Sequence, residues 1–238
     1  MMNTKASNHS SENDIATFRR IRSAIGMLGI SLPILLLILP LFPFFQTSIQ
    51  QSISHYYYTN LRELFTGVLC AVGLFLIRYK GHENPVFWKN DSRLTNIAGL
   101  MAFGIALFPT DANDCSQKVY TLIPSCETFL GTIHFVFAAI FFFVLAIVSI
   151  NVFTIGQKAN TDIAISPFNE NTIYRTCGYL MICFIILIPI LPALGLSYTT
   201  LICEALALFA FGISWLIKGR ALGDKGKMGE KIYREKNI

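Results

Sequence analysis

Six long apolar runs separated by polar stretches organise the chain, at 24–45, 61–77, 94–109, 129–153, 176–196 and 197–217. Runs of this length with so few charges predict membrane-spanning helices, because lipid offers backbone N–H and C=O groups no partner outside their own helix. The expected fold class is all-α, a six-helix transmembrane bundle over residues 23–219, read as one domain. Residues 1–22 are rich in Ser, Asn and charge and predict a disordered tail. Residues 156–171 read as a solvated linker and 220–238 as a basic tail. Pro33, Pro40 and Pro43 remove backbone donors from the first run and predict a bent or loosened second half. Phe44, Phe45 and Gln46 follow that run where cleavage would need small residues, so it is expected to persist as an anchor. No internal repeat stands out, which argues against an inverted-repeat transporter.

Charge orients the bundle. Threaded in order, the runs place all but Arg62 and Lys118 of the nineteen Lys and Arg residues on one side. Such an excess marks the cytoplasmic face, so both termini are expected to be cytoplasmic and the protein to lie in the cytoplasmic (inner) membrane. A mean hydropathy of +0.54, with 53% hydrophobic and 14% charged residues, excludes an ordinary soluble domain. The net charge of +5 reads as topology and as attraction to anionic headgroups. Membrane lipids are therefore the expected partners, not nucleic acid. There is no P-loop, no dinucleotide glycine pattern and no G-x-S-x-G elbow.

Of six cysteines, Cys70, Cys177, Cys183 and Cys203 lie within apolar runs and are expected to pack as small hydrophobes. Cys115 and Cys126 share an outer loop, where an oxidising compartment would let them form a disulfide. Gly99 and Gly104 are expected to serve helix packing. Trp215 and Lys218 read as an anchor pair at the inner interface.

The polar groups inside the runs are segregated by depth. The second run has too few uncharged residues to cross the hydrocarbon, so its helix is expected to continue through Arg62 and Glu63, which then need partners. Asp111 directly follows the third run. By helical rise, His134 lies about 7 Å into the fourth and Glu204 about 10 Å into the sixth, all from the same outer side. Gly131 and Ala138 flank His134 on its face, and Gly67 and Cys70 share the stripe of Glu63, which predicts close helix approach at both. The connection ahead of Arg62 carries Ser52, Ser54, His55, Tyr56, Tyr57 and Tyr58, suited either to an aromatic belt alone or to a belt with a binding site. The expected outer pocket thus comprises Arg62, Glu63, His134, Glu204, Tyr56, Tyr57, Ser54 and Asp111.

These residues carry a resemblance. Ser52-Ile53-Ser54 with Tyr56, Tyr57, Arg62, Glu63 and Gly67, then Ala106-Leu107-Phe108-Pro109-Thr110 and His134, resemble blocks of the domain of unknown function 998. Ile173-Tyr174-Arg175 with Cys177 and Gly178, then Glu204 and the block from Phe211 to Gly219, continue the likeness. The resemblance implies a bacterial six-helix integral membrane protein and brings no activity.

Three readings of function stand ahead of proton- or ion-coupled transport, which intramembrane carboxylates permit but for which the inner halves offer no polar path. The first is a membrane protein whose outer pocket binds a lipid or amphiphile without any cofactor. The second is a zinc-dependent hydrolase of lipid amides or esters, similar in outline to the ceramidases, with His55, His134 and Asp111 as ligands and Ser54 nearby. It lacks an H-x-x-x-H pair and a seventh span. The third is a structural bundle in which Arg62, Glu63 and Glu204 form a buried ion-pair network.

Overall fold

The structure is a computed structural model that describes residues 2–81, 83–112, 121–123, 128–155, 169–222 and 232, with side chains from Ala16 onward except that of Thr128. Described secondary structure is helical throughout. The helices are α1 (Met2–Ile38), α2 (Arg62–Arg78), α3 (Asp91–Leu107), α4 (Thr128–Ile147), α5 (Glu170–Ala193) and α6 (Thr199–Lys218). Four are long and apolar enough to cross a membrane: Ala16–Leu41, Phe129–Val152, Glu170–Ala193 and Thr199–Lys218. α2 and α3 have 17 residues each, or about 25 Å of helix by rise. The Cys115–Cys126 pairing and Lys118 lie outside the described residues, as do most of the 156–171 linker and the basic tail.

α1 begins at Met2, so the segment expected to be disordered is helical. It holds neither Gly nor Pro before Gly26, and nothing in it stops a helix extending backward from the apolar run. At its other end the prolines act as anticipated. α1 runs through Pro33 to Ile38 and then tightens into 3₁₀ turns at Leu39–Leu41 and Pro43–Phe45. Asn90 caps α3 by accepting the Arg93 N–H at 3.0 Å, and Asn169 caps α5 through the Thr172 N–H at 2.7 Å. Each cap starts its helix several residues ahead of the apolar run.

Neighbouring helices pack antiparallel, α1 on α6, α2 on α3, α3 on α4 and α5 on α6. Two crossings are glycine to glycine. A Cβ on Gly99 would lie 2.7 Å from the Gly73 carbonyl oxygen, and one on Gly73 would lie 3.0 Å from that of Gly99. Gly26 and Gly212 face each other in the same way across α1 and α6. Gly104 seats the Phe137 ring of α4, so Gly99 and Gly104 both serve packing. Gly67 does not: nothing lies within 4 Å of a Cβ there. The Glu63–Gly67 stripe faces outward.

One end of the bundle, termed the lower end, gathers the start of α3 and α5 and the finish of α2, α4 and α6. The chain beyond Ile147 widens into a π turn, Val148–Val152, which brings Phe153 against Trp215 with ring centroids 5.2 Å apart. Trp215 also packs on Tyr79 and Phe211 and is fully buried. It is therefore core and not an interface anchor. Lys218 turns inward too, donating to the Phe153 carbonyl at 2.9 Å while its ammonium lies over the Phe153 and Tyr174 rings. Arg22 donates to the Tyr79 hydroxyl at 2.6 Å, and Tyr79 donates to Asp91 at 2.9 Å, tying α1, α2 and α3 through one buried phenol. Cys177 and Cys203 are buried and Cys70 partly so, whereas Cys183 is exposed.

The crossings predict a contrast. Gly99→Val should lower the thermal stability of detergent-solubilised protein by about 1–3 kcal/mol through overpacking. Gly67→Ala should leave it unchanged or raise it by up to about 1 kcal/mol through helix propensity. Equal effects at the two positions, read from unfolding midpoints, would contradict the packing.

Candidate functional site

At the opposite, upper end the chain leaves helical geometry twice and must satisfy its freed backbone groups. Between α1 and α2 it dips back toward the bundle as a short 3₁₀ helix, Ser54–Tyr58. After α3, Pro109 has no N–H to continue the helix, and residues 108–111 run extended or irregular. Side chains of the first stretch and of α4 serve the backbone of the second. His134 of α4 bonds the Phe108 carbonyl through Nδ1 at 2.7 Å. Tyr58 donates to the Thr110 carbonyl, and the His55 ring meets the backbone of Asp111.

The dipping segment is also fixed to α6. The Leu201 N–H, free in the first turn of α6, donates to the Gln51 carbonyl at 3.0 Å. Glu204, one turn further along, accepts the Ile53 N–H on Oε2. Ser52 accepts the His55 N–H at 3.1 Å and its hydroxyl lies 2.7 Å from His55 Nδ1. Thr59 closes the segment by donating to the Tyr56 carbonyl at 2.9 Å.

Ser54 stands where these links cross. Its Oγ is 2.9 Å from His134 Nε2 and 3.4 Å from Glu204 Oε1. Proton counting restricts this chain of three groups. The Phe108 carbonyl can only accept, so His134 Nδ1 carries a hydrogen. With a neutral imidazole, Ser54 donates to Nε2 and a protonated Glu204 donates to Ser54. With an imidazolium, His134 donates to Ser54 and Ser54 to a carboxylate. The two states hold the same protons and the same net charge of zero, and differ only by a shift along the chain. A neutral unit of this kind suits a low-dielectric position better than any single charge.

Of the residues expected in the pocket, the structure brings Ser54, His134 and Glu204 into direct contact from three separate elements. Asp111 lies beside them, its carboxylate against Gly131, where a Cβ would lie 1.9 Å from Oδ1. Gly131 thus makes room for a carboxylate and not for a helix. Tyr56 and Tyr57 are buried, and Tyr56 accepts the Gln50 N–H at 3.4 Å. Arg62 pairs with its neighbour Glu63 at 3.3 Å, and Glu63 is 76% exposed, so this pair sits on the rim while Glu204 is held by Ile53 and Ser54. Among the described residues no three His, Cys, Asp or Glu side chains are grouped to hold a metal ion. Both His134 nitrogens are engaged by Phe108 and Ser54.

The family described as "Protein of unknown function (DUF998)" matches residues 49–216. The chain belongs to this DUF998 family. The matched stretch begins at the dipping segment and ends in the lower aromatic cluster, so the family's extent includes the whole upper site. No curated protein and no solved structure matches the chain.

Sequence reading found Ser54, His134 and Glu204 but missed Phe108, Thr110 and Gln51, whose contribution is a carbonyl. The Phe108-Pro109 break is the signal that could have found the first two, since a helix stopped by proline leaves acceptors open. Burial, with the neighbouring Tyr57 and Asp111, pushes the Tyr58 phenol up to about 12, so it remains a donor at physiological pH. Burial holds the His55 pKa below the ordinary 6.5, against the Asp111 carbonyl and charge, which raise it. As pH falls below 6.5 the unfolded chain takes up a proton on this ring before the folded one does. The stability that His55 contributes is therefore complete above 6.5 and is lost as pH drops through the folded value. On acidification, wild type should lose thermal stability relative to His55→Asn; parallel pH curves for the two would contradict this environment.

Proposed function

We propose that the protein crosses the membrane six times with both termini cytoplasmic, and that its upper end holds the headgroup of a lipid or other amphiphile from the outer leaflet. The distribution of Lys and Arg supports the orientation. It makes the lower end, with Arg22, Lys218 and Arg220, cytoplasmic. The upper end then faces outward, with Phe42 and Phe44 exposed beside it at headgroup level.

The observation that carries the binding reading is the meeting of Ser54, His134 and Glu204 beneath a partly open rim. Ser54 and His134 are buried, while His55, Arg62 and Glu204 keep part of their surface exposed. Polar groups at this depth are costly in lipid unless they are paired or bind something. Here the buried ones are paired, and at the rim the Arg62 guanidinium, shared with Glu63 at 3.3 Å, is the cation a headgroup would meet. Arg62 suits a phosphate or carboxylate, and Tyr57 lies close enough to feel its charge. Exposed side chains of the flanking helices would lie along the acyl chains.

Native mass spectrometry of gently solubilised protein tests this. Wild type should retain lipid, and Arg62→Ala should lower its occupancy about tenfold, as expected for loss of one charge-assisted contact of about 1.5 kcal/mol. Lipid content unchanged by the substitution would end the reading. Orientation has its own check: a green fluorescent protein fused after Ile238 should fluoresce and a periplasm-dependent phosphatase fused there should be inactive. The opposite pattern would reverse the topology.

A further inference from the structure

We infer that Ser54 is an acyl-accepting nucleophile with His134 as its general base, so that the upper site cleaves a carboxylic ester or thioester of an amphiphile. The inference deepens the binding reading, because the same site would seat the substrate. It stands on the arrangement of four groups. A nucleophile needs a base within hydrogen-bond reach, and the base needs a third group to fix its ring and tautomer. Ser54 Oγ lies 2.9 Å from His134 Nε2, and the Phe108 carbonyl 2.7 Å from Nδ1. That carbonyl holds the hydrogen on Nδ1 and turns the Nε2 lone pair toward Ser54.

A structural role accounts for the Phe108 bond and for the anchoring of the 3₁₀ segment. Satisfying the Phe108 carbonyl requires one donor, which Ser or Asn would also supply. Holding the 3₁₀ segment requires acceptors for its N–H groups, which Glu204 and Ser52 provide. The second imidazole nitrogen also needs a partner when buried, and here that partner is a hydroxyl, a group that can act as a nucleophile as well as a donor. Ser54 is buried with 8% of its surface open, beside the partly exposed His55, so a substrate carbonyl reaches Oγ only once the rim side chains move aside.

The reaction balances with water as its only co-reactant. Ser54 Oγ bonds to the acyl carbon as its proton passes to His134 Nε2. The carbon–oxygen or carbon–sulfur bond to the leaving group breaks, and His134 returns the proton to the departing alcohol or thiol. Water then attacks the acyl-Ser54, giving one proton to His134. The Oγ–acyl bond breaks, Ser54 Oγ regains that proton, and a carboxylic acid leaves. Glu204 acts as a positioning residue. It accepts the Ile53 N–H and lies 3.4 Å from the Ser54 hydroxyl, contacts that Gln can reproduce and Ala cannot.

A fluorophosphonate probe applied to the full chain in lipid nanodiscs tests this directly, since it phosphonylates a serine only when a base activates it. Peptide mapping should locate the adduct on Ser54 in wild type. Ser54→Ala should abolish it, and His134→Gln should slow labelling about 100-fold, the usual contribution of a general base. Glu204→Gln should label within a few-fold of wild type and Glu204→Ala far more slowly, with each variant confirmed as folded by its tryptophan fluorescence and elution volume. Folded wild type that takes no label, or an adduct that maps elsewhere and survives Ser54→Ala, would overturn the assignment. Labelling at Ser54 without retained lipid would remove the tight-binding reading alone. Retained, Arg62-dependent lipid without labelling would remove only the nucleophile.

Discussion

Backbone that leaves the helix inside a packed bundle has to find a partner for every group it frees, and the upper end of this protein is arranged around that need. A buried amide or carbonyl left unsatisfied costs several kcal/mol. Two non-helical stretches, 50–60 and 108–111, lie close together, and each satisfies groups of the other or of α6. Tyr58 reaches Thr110, His55 reaches Asp111, and His134 reaches Phe108. Leu201 and Glu204 hold Gln51 and Ile53. The site is thus a consequence of broken helices: the side chains recruited to repair the backbone bring Ser54, His134 and Glu204 together.

The lower end solves a different problem. There the charged groups Arg22, Asp91 and Lys218 lie among aromatic rings and are spread through the Tyr79 hydroxyl, the Phe153 carbonyl and the faces of Phe153, Tyr174 and Tyr79. Every one of these contacts joins separate elements. Between the two ends the helices approach through glycine crossings, which depend on dispersion and not on the hydrophobic effect, since lipid tails are as apolar as leucine. Rigid crossings and a stapled lower end leave the upper segments to be placed by hydrogen bonds together with the buried Ile53, Tyr56 and Tyr57.

Much of the candidate site was legible in the chain because its members break the hydropathy pattern. His134 and Glu204 are ionisable groups in otherwise apolar helices, and the run Ser52 to Tyr58 is polar where a connection should be short. Their common depth followed from helical rise. Glu63 broke the pattern equally and was drawn into the same pocket, yet it stands on the outer face with Gly67. A charge in the first turn of a helix reaches the rim from either face, and position along the run does not distinguish them. Trp215 failed for the mirror-image reason: an aromatic next to a lysine near a helix end has the composition of an interface anchor, and only the π turn after α4 brings the rings that bury it.

What the sequence determined by itself is what depends on length and polarity: helical elements throughout the described residues, the approximate ends of α2, α3 and α6, and the proline-loosened finish of α1. These follow from one-dimensional patterning against a solvent of fixed thickness. Only the tertiary structure decided which face of each helix meets protein. In lipid both faces are apolar, so periodicity carries little of the inside-versus-outside signal that it carries in water, and the pairing of Ser54 with His134, 80 residues apart, appears only when the helices are packed.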